Sequence, residues 1–163
     1  MNTSPIRSES PTAVTPKRPA LGLPFIALAG LALLSVPRVI LHDVGLIHEG
    51  TFVNLLLVVV PPIVWITMVL WRRVPNPFLT LFVIGACSGV FLAIVHQVLW
   101  AAAFGDQPPA LGGNLAQLDP TVQDLIIRGF AVVSSLFTGV LIGVVVGLIG
   151  WGVGAALKRG GGR

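Results

Sequence analysis

The sequence predicts an all-α fold: an integral membrane bundle of four transmembrane helices with both termini cytoplasmic. Three observations predict it. The 163 residues are 55% hydrophobic and only 10% charged, where a soluble domain carries about 25% charged residues. The apolar residues gather in four runs of about 20 residues or more. At about 1.5 Å of rise per residue, each run crosses a hydrocarbon core about 30 Å thick. Finally, the basic residues collect at one end of those runs. The net charge of +4 is therefore a topological signal, and nucleic acid is not an expected partner.

The chain opens with residues 1–19, "MNTSPIRSESPTAVTPKRP", rich in Ser, Thr and Pro and without hydrophobic periodicity. This composition predicts a disordered cytoplasmic tail. The transmembrane domain spans residues 20–157. Its first helix covers about 20–41. Lys17 and Arg18 resemble the basic region of a signal peptide, but "LALLSVPRV" offers no small-x-small cleavage site, so the segment is expected to be retained as a span. The second helix covers 52–71. Within it Pro61 and Pro62 lack amide donors and free the carbonyls of Leu57 and Val58, which predicts a kink.

"RRVPNP", residues 72–77, is a tight turn that makes the second and third helices antiparallel neighbours. The third helix covers 78–104. The connection "GDQPPALGGNLAQLDP" is an ordered surface loop at most. "TVQD" matches a capping box, with Thr121 and Asp124 opening the fourth helix; Asp119 followed by Pro120 is the competing N-cap. The fourth helix, 122–157, exceeds the need of one crossing and should tilt or leave the membrane at one end. Residues 158–163 form a basic cytoplasmic tail.

Orientation follows from eight of the ten Lys and Arg residues: Arg7, Lys17, Arg18, Arg72, Arg73, Lys158, Arg159 and Arg163. All fall at one end. The opposite loops and helix ends carry Asp43, Glu49, Asp106, Asp119 and Asp124. The positive-inside rule then places both termini in the cytoplasm. Two lysines only, with abundant Ala, Val, Gly and Arg, suit a prokaryotic plasma membrane.

The remaining basic residues, Arg38 and Arg128, lie inside apolar runs. An arginine at a helix centre costs about 2.5–3.5 kcal/mol on insertion scales, and less near the ends. Arg38 and His96 both sit about 27 Å along their helices from the cytoplasmic end. On a helical wheel, Ser35, Arg38 and His42 share a face of the first helix. Gly85, Gly89, His96 and Trp100 share one on the third. Arg128, Ser135 and Gly139 share one on the fourth, which drifts on to Gly143 and Gly147. Small residues mark close helix approach in lipid, so His96 and Arg128 should point into the bundle, with the glycines packing mainly inside the chain.

These residues define a candidate polar cluster near the outer surface. Arg38, His42, Asp43 and Glu49 form one wall; His96, Gln97, Asp124 and Arg128 supply the others. Asp124 and Arg128 can pair at i,i+4. Asp43 or Glu49 is expected to pair with Arg38 or Arg128, and His96 with Ser35, Asn54 or groups of the fourth helix. Interfacial anchoring, ion pairs joining helix ends, and a ligand or proton site are three readings of the cluster.

No Walker loop, HExxH, GxSxG or catalytic carboxylate pair is present, which disfavours an enzyme. The lone Cys87 removes paired-thiol redox chemistry. His42, His48 and His96 match no compact metal motif, so neither metal nor cofactor is expected. The alternative cofactor is a haem b held by His42 and His96. The expected role is a non-catalytic subunit or accessory factor of a membrane assembly, a homo- or hetero-oligomer surrounded by lipid. A proton-coupled or small-solute transporter, and a haem- or quinone-binding redox subunit, are the alternatives.

Overall fold

The computed structural model describes residues 21–105 and 107–160. The tail 1–19, Asp106 and Arg163 thus lie outside the described residues. Six α-helices occur among those described: α1 (Phe25–Ala32), α2 (Val36–Asp43), α3 (Phe52–Trp71), α4 (Pro77–Val98), α5 (Trp100–Phe104) and α6 (Pro120–Gly160). Tight 3-10 turns cover Leu33–Ser35 and Gly113–Gln117, and no strand occurs among the described residues. α1 and α2, joined by the first 3-10 turn, make one span, Phe25–Asp43; with α3, α4 and α6 this gives four helices long and apolar enough to cross a membrane.

The first span is interrupted because Pro37 has no N–H and its ring crowds the carbonyl four residues back. The preceding turn tightens to 3-10 geometry at Leu33–Ser35. Two side chains serve carbonyls around that break. Ser35 Oγ donates to the Ala32 oxygen at 2.8 Å. The Trp65 indole N–H, from α3, donates to the Leu31 oxygen at 2.7 Å.

Thr51 caps α3, its hydroxyl accepting from the Asn54 N–H at 3.3 Å. The helix then runs unbroken through Pro61 and Pro62. It closes with a Schellman pattern: the Arg73 N–H donates to the Leu70 oxygen at 3.1 Å and the Val74 N–H to the Val69 oxygen at 3.3 Å. Val69 and Val74, the apolar pair of that motif, are both buried in the same core cluster. The motif needs a left-handed residue at Arg73, whose φ is 48°. Glycine is the usual occupant, since the left-handed region costs other L-residues about 1–2 kcal/mol.

The turn into α4 is clamped from outside. Asn76 caps α4, its Oδ1 accepting from the Leu79 N–H at 3.0 Å, and Pro77 follows. Thr80 Oγ1 donates to the Leu21 oxygen at 2.9 Å. Gly22 (φ 68°) lies so close to the turn that a Cβ there would meet Val74 and Pro75 at 2.7 Å.

α4 is the hub, touching α1, α2, α3 and α6, and its pairing with α6 is the most extensive in the molecule. That pairing is backbone against backbone. A Cβ on Gly85 would strike the main chain of Gly143, and one on Gly139 would strike that of Gly89. Gly147 receives the ring of Phe78. With no hydrophobic drive between helices in lipid, such contact supplies dispersion in place of side-chain burial. The directions follow from the contacts. Leu21 meets Thr80, Ser35 meets Ser88 and Asp43 meets His96, so the first span runs parallel to α4. α3 and α6 run the other way, because Trp65 reaches Leu31 and Gly139 packs on Gly89. Residues 21 and 160 and the 72–76 turn therefore share one end of the bundle, the terminal end. The connections 44–51 and 105–119 share the other, the loop end.

Several helix ends differ from the sequence reading: the first span, expected over 20–41, runs Phe25–Asp43, and the fourth helix, expected over 122–157, runs Pro120–Gly160. The third run, expected as one helix over 78–104, closes at Val98 and restarts at Trp100 after Leu99 leaves helical geometry (φ −90°, ψ 7°); α5 buries Trp100. α6 opens at Pro120, where Asp119 Oδ1 accepts the Thr121 N–H at 2.8 Å. Asp119 is the cap, and Asp124, expected to share in a capping box, turns its carboxylate to Arg128 instead. The 41 residues of α6 reach about 60 Å, twice the hydrocarbon thickness.

Candidate functional site

The polar residues of the loop end are placed by helix ends rather than by one loop. α2 carries Arg38, His42 and Asp43 through its last two turns. The last turns of α4 carry His96 and Gln97. α6 brings Asp124 and Arg128 in its first turns, and α3 brings Asn54 just inside its cap.

Asp43 is the most buried of the ion-paired side chains, only 7% exposed. Its Oδ2 lies 2.7 Å from His96 Nδ1. With Asp43 ionised, the ring donates through Nδ1–H to that oxygen, a charge-assisted bond across two spans. His42 Nδ1 stands 3.7 Å from the other oxygen, Oδ1. The two rings thus address opposite oxygens of one carboxylate. That geometry suits one carboxylate shared by two rings.

Arg128 is held on three sides. Its Nε donates to Asp124 Oδ2 at 2.7 Å along α6, the pair that i,i+4 spacing allows. Its Nη1 lies 3.5 Å from Gln97 Oε1, while Gln97 Nε2 donates back to the Arg128 main-chain oxygen at 3.3 Å. The guanidinium carbon sits 4.5 Å above the centre of the Trp100 ring, a cation–π arrangement. Arg38 takes a neutral partner, its Nε donating to Asn54 Oδ1 at 3.0 Å.

These pairings correct three expectations. Asp43 bonds to His96 and not to Arg38 or Arg128, because it ends α2 facing the α4 helix end. Arg38 uses Asn54, one of the partners expected for His96. Ser35, also considered for His96, instead meets Ser88 at 2.6 Å, deeper in the bundle. Glu49 sits exposed in the turn between α2 and α3, in no ion pair among the described residues. No protein-family description, characterised protein or solved structure matches this chain.

The sequence reading gave no role to Trp100, Ser88 or Gln123. Trp100 carried a usable signal: it follows His96 and Gln97 by one helical turn. Gln123 organises the long connection. Its Oε1 accepts the Leu111 N–H at 3.1 Å, and its Nε2 donates to the oxygens of Ala116 and Leu118 at 3.2 and 2.9 Å. One side chain therefore orders a loop whose Pro-Pro and Gly-Gly composition says little.

Asp43 and His96 also line an open cleft of about 330 Å³, together with His42, Trp100, Phe104 and the exposed Ser134 among others. Among the described residues, no group of three or more His, Cys, Asp or Glu is placed to hold a metal ion.

Proposed function

We propose that this protein is a non-catalytic subunit or accessory factor of a membrane assembly, whose loop-end polar residues fasten its four spans together. One observation carries this reading. The polar contacts run from span to span without a gap: Arg38–Asn54 joins the first to the second, Asp43–His96 the first to the third, and Gln97–Arg128 the third to the fourth. No described buried side-chain nitrogen or oxygen is left without a partner. Each of these contacts ties one span of the chain to another. The basic residues of the terminal end support a cytoplasmic location for both termini, and the composition supports a prokaryotic plasma membrane.

The test is mild extraction from native membranes, crosslinking, and mass measurement of the intact complex. The reading expects a stable companion, either a second copy or another membrane protein. A free monomer at every crosslinker concentration would contradict it.

A second reading is favoured by the cleft beside Asp43 and His96: uptake of a small polar solute or a proton from the loop end. A path across the bundle would have to continue past Ser35 and Ser88, beyond which the core consists of Leu28, Trp65, Leu81 and Ile84. Proteoliposome flux that is abolished by His96→Ala would establish this reading in place of the first, and flux unaffected by it would remove it.

A further inference from the structure

We propose that the groove between the ends of α3 and α6, at the terminal end, is a binding site for an anionic phospholipid. The groove is about 1320 Å³ and open to the bundle surface, larger than ordinary small-molecule pockets of about 300–1,000 Å³. Its floor is apolar: Ile66, Val69 and Leu70 from α3, Gly154 and Ala155 from α6. At Gly154 a Cβ would already stand 3.3 Å from Leu70, so the helices touch there; beyond, α6 continues to Gly160 after α3 has turned away at Trp71.

The mouth carries charge of one sign. Arg73 and Lys158 line it, with Trp71 and Trp151 beside them, and no carboxylate is among the lining residues. The described carboxylates, Asp43, Glu49, Asp119 and Asp124, belong to the loop end, and neither Arg73 nor Lys158 is in an ion pair among the described residues. An apolar slot capped by two cations and flanked by tryptophans fits a molecule with acyl chains and a phosphate.

A second observation is independent of the groove. Arg73 occupies the left-handed position of the Schellman turn (φ 48°), where glycine is the favoured residue. Strain of this kind, kept where a side chain meets a cavity, points to a role for the side chain. The neighbouring turn is fixed by the Thr80–Leu21 bond and by Gly22 against Val74, so the guanidinium is carried on a rigid support.

The strain gives the site a separating test. Protein in dodecyl maltoside micelles is titrated with dioleoyl phosphatidylglycerol or dioleoyl phosphatidylcholine, and retained lipid is counted by native mass spectrometry. The wild type should retain the anionic lipid roughly tenfold better. Arg73→Gly should erase most of that preference while leaving the melting temperature equal or higher, because glycine relieves the turn. Lys158→Gln should reduce the preference in part. Arg72→Gln, which removes a charge from the same turn but not from the groove, should preserve it. Arg73→Asn, also tolerant of the left-handed region, serves if the glycine variant does not yield folded protein. Equal retention of the two lipids by the wild type, or an unchanged preference in the Arg73 variants, would overturn the proposal. So would an equal loss in Arg72→Gln, which means diffuse surface charge. Displacement of the lipid by inorganic phosphate would assign the site to a free anion instead.

Discussion

Arg128 illustrates how a charge is kept inside an apolar run. The residue is near a helix end, about a third exposed, and its guanidinium is divided among a carboxylate, an amide and an indole face. Replacing it with leucine removes all three and leaves Asp124 without its partner. Arg128→Leu should lower stability in detergent by about 1–2 kcal/mol, the range for a charge-assisted bond at a partly exposed site. Arg72→Leu, at an exposed turn position, should change it by less than about 0.5 kcal/mol. Thermal denaturation of the two variants beside the wild type checks this; equal and negligible shifts would mean that Arg128 only reaches for headgroups. Trp65→Phe belongs at the same scale. It keeps the ring in the core but removes the donor to Leu31, and should cost about 1 kcal/mol.

Among the elements, the α4–α6 pair carries the sharpest contrast. Gly85 and Gly139 face the partner backbone, whereas a Cβ on Gly129 or Gly152 would meet nothing within 4 Å. Gly139→Ala should therefore force the helices apart at a cost of about 1–3 kcal/mol. Gly129→Ala and Gly152→Ala should be neutral or stabilise by up to about 1 kcal/mol through helix propensity. Melting temperatures of the three alanine variants rank them; a Gly139→Ala protein as stable as Gly129→Ala would mean the interface is looser than described.

The sequence made these helices legible because apolar runs of this length have few other solutions, and the wheel groups Gly85 with Gly89 on α4 and lets the α6 face drift from Gly139 to Gly143, the glycines at which the two main chains approach. It did not reveal the 3-10 break at Leu33–Ser35, since tightening ahead of Pro37 depends on Trp65 and Ser35 finding the freed carbonyls. The break at Leu99 was equally hidden, as no proline or glycine marks it. Scarce charge also drew attention to Arg38, His42, Asp43, His96, Asp124 and Arg128, whereas Glu49, singled out on the same ground, sits exposed in no ion pair among the described residues. The pairing was not legible: Arg38 and Asp43 stand about 7 Å apart along α2, and the offset and rotation of the neighbouring helices decide that Asp43 meets His96 while Arg38 meets Asn54.

At the scale of the whole molecule, the two ends of the bundle differ in chemistry. The loop end joins helices through polar side chains, while the terminal end joins them through an apolar core and leaves its cations at the surface. The charge difference between the ends also sets the proposed orientation. In a Cys87→Ser background, cysteines at His48 and Ala110 should react with an impermeant thiol reagent added outside intact cells, and one at Arg72 should not. The reverse pattern would invert the bundle. Val74, in the same turn as Arg72, is buried and would be a poor reporter.

The claim that the loop-end residues act as ties between spans rests most on Asp43 and His96, which join the first and third spans through a buried carboxylate. A double-mutant cycle with Asp43→Asn, His96→Leu and the combination, read by reversible unfolding in detergent, measures that tie directly. The predicted result is a coupling energy of about 0.6–2 kcal/mol, with the double variant less damaged than the sum of the singles. Strict additivity, with both single variants near wild-type stability, would contradict the account and leave the cleft beside them as the reason for these residues.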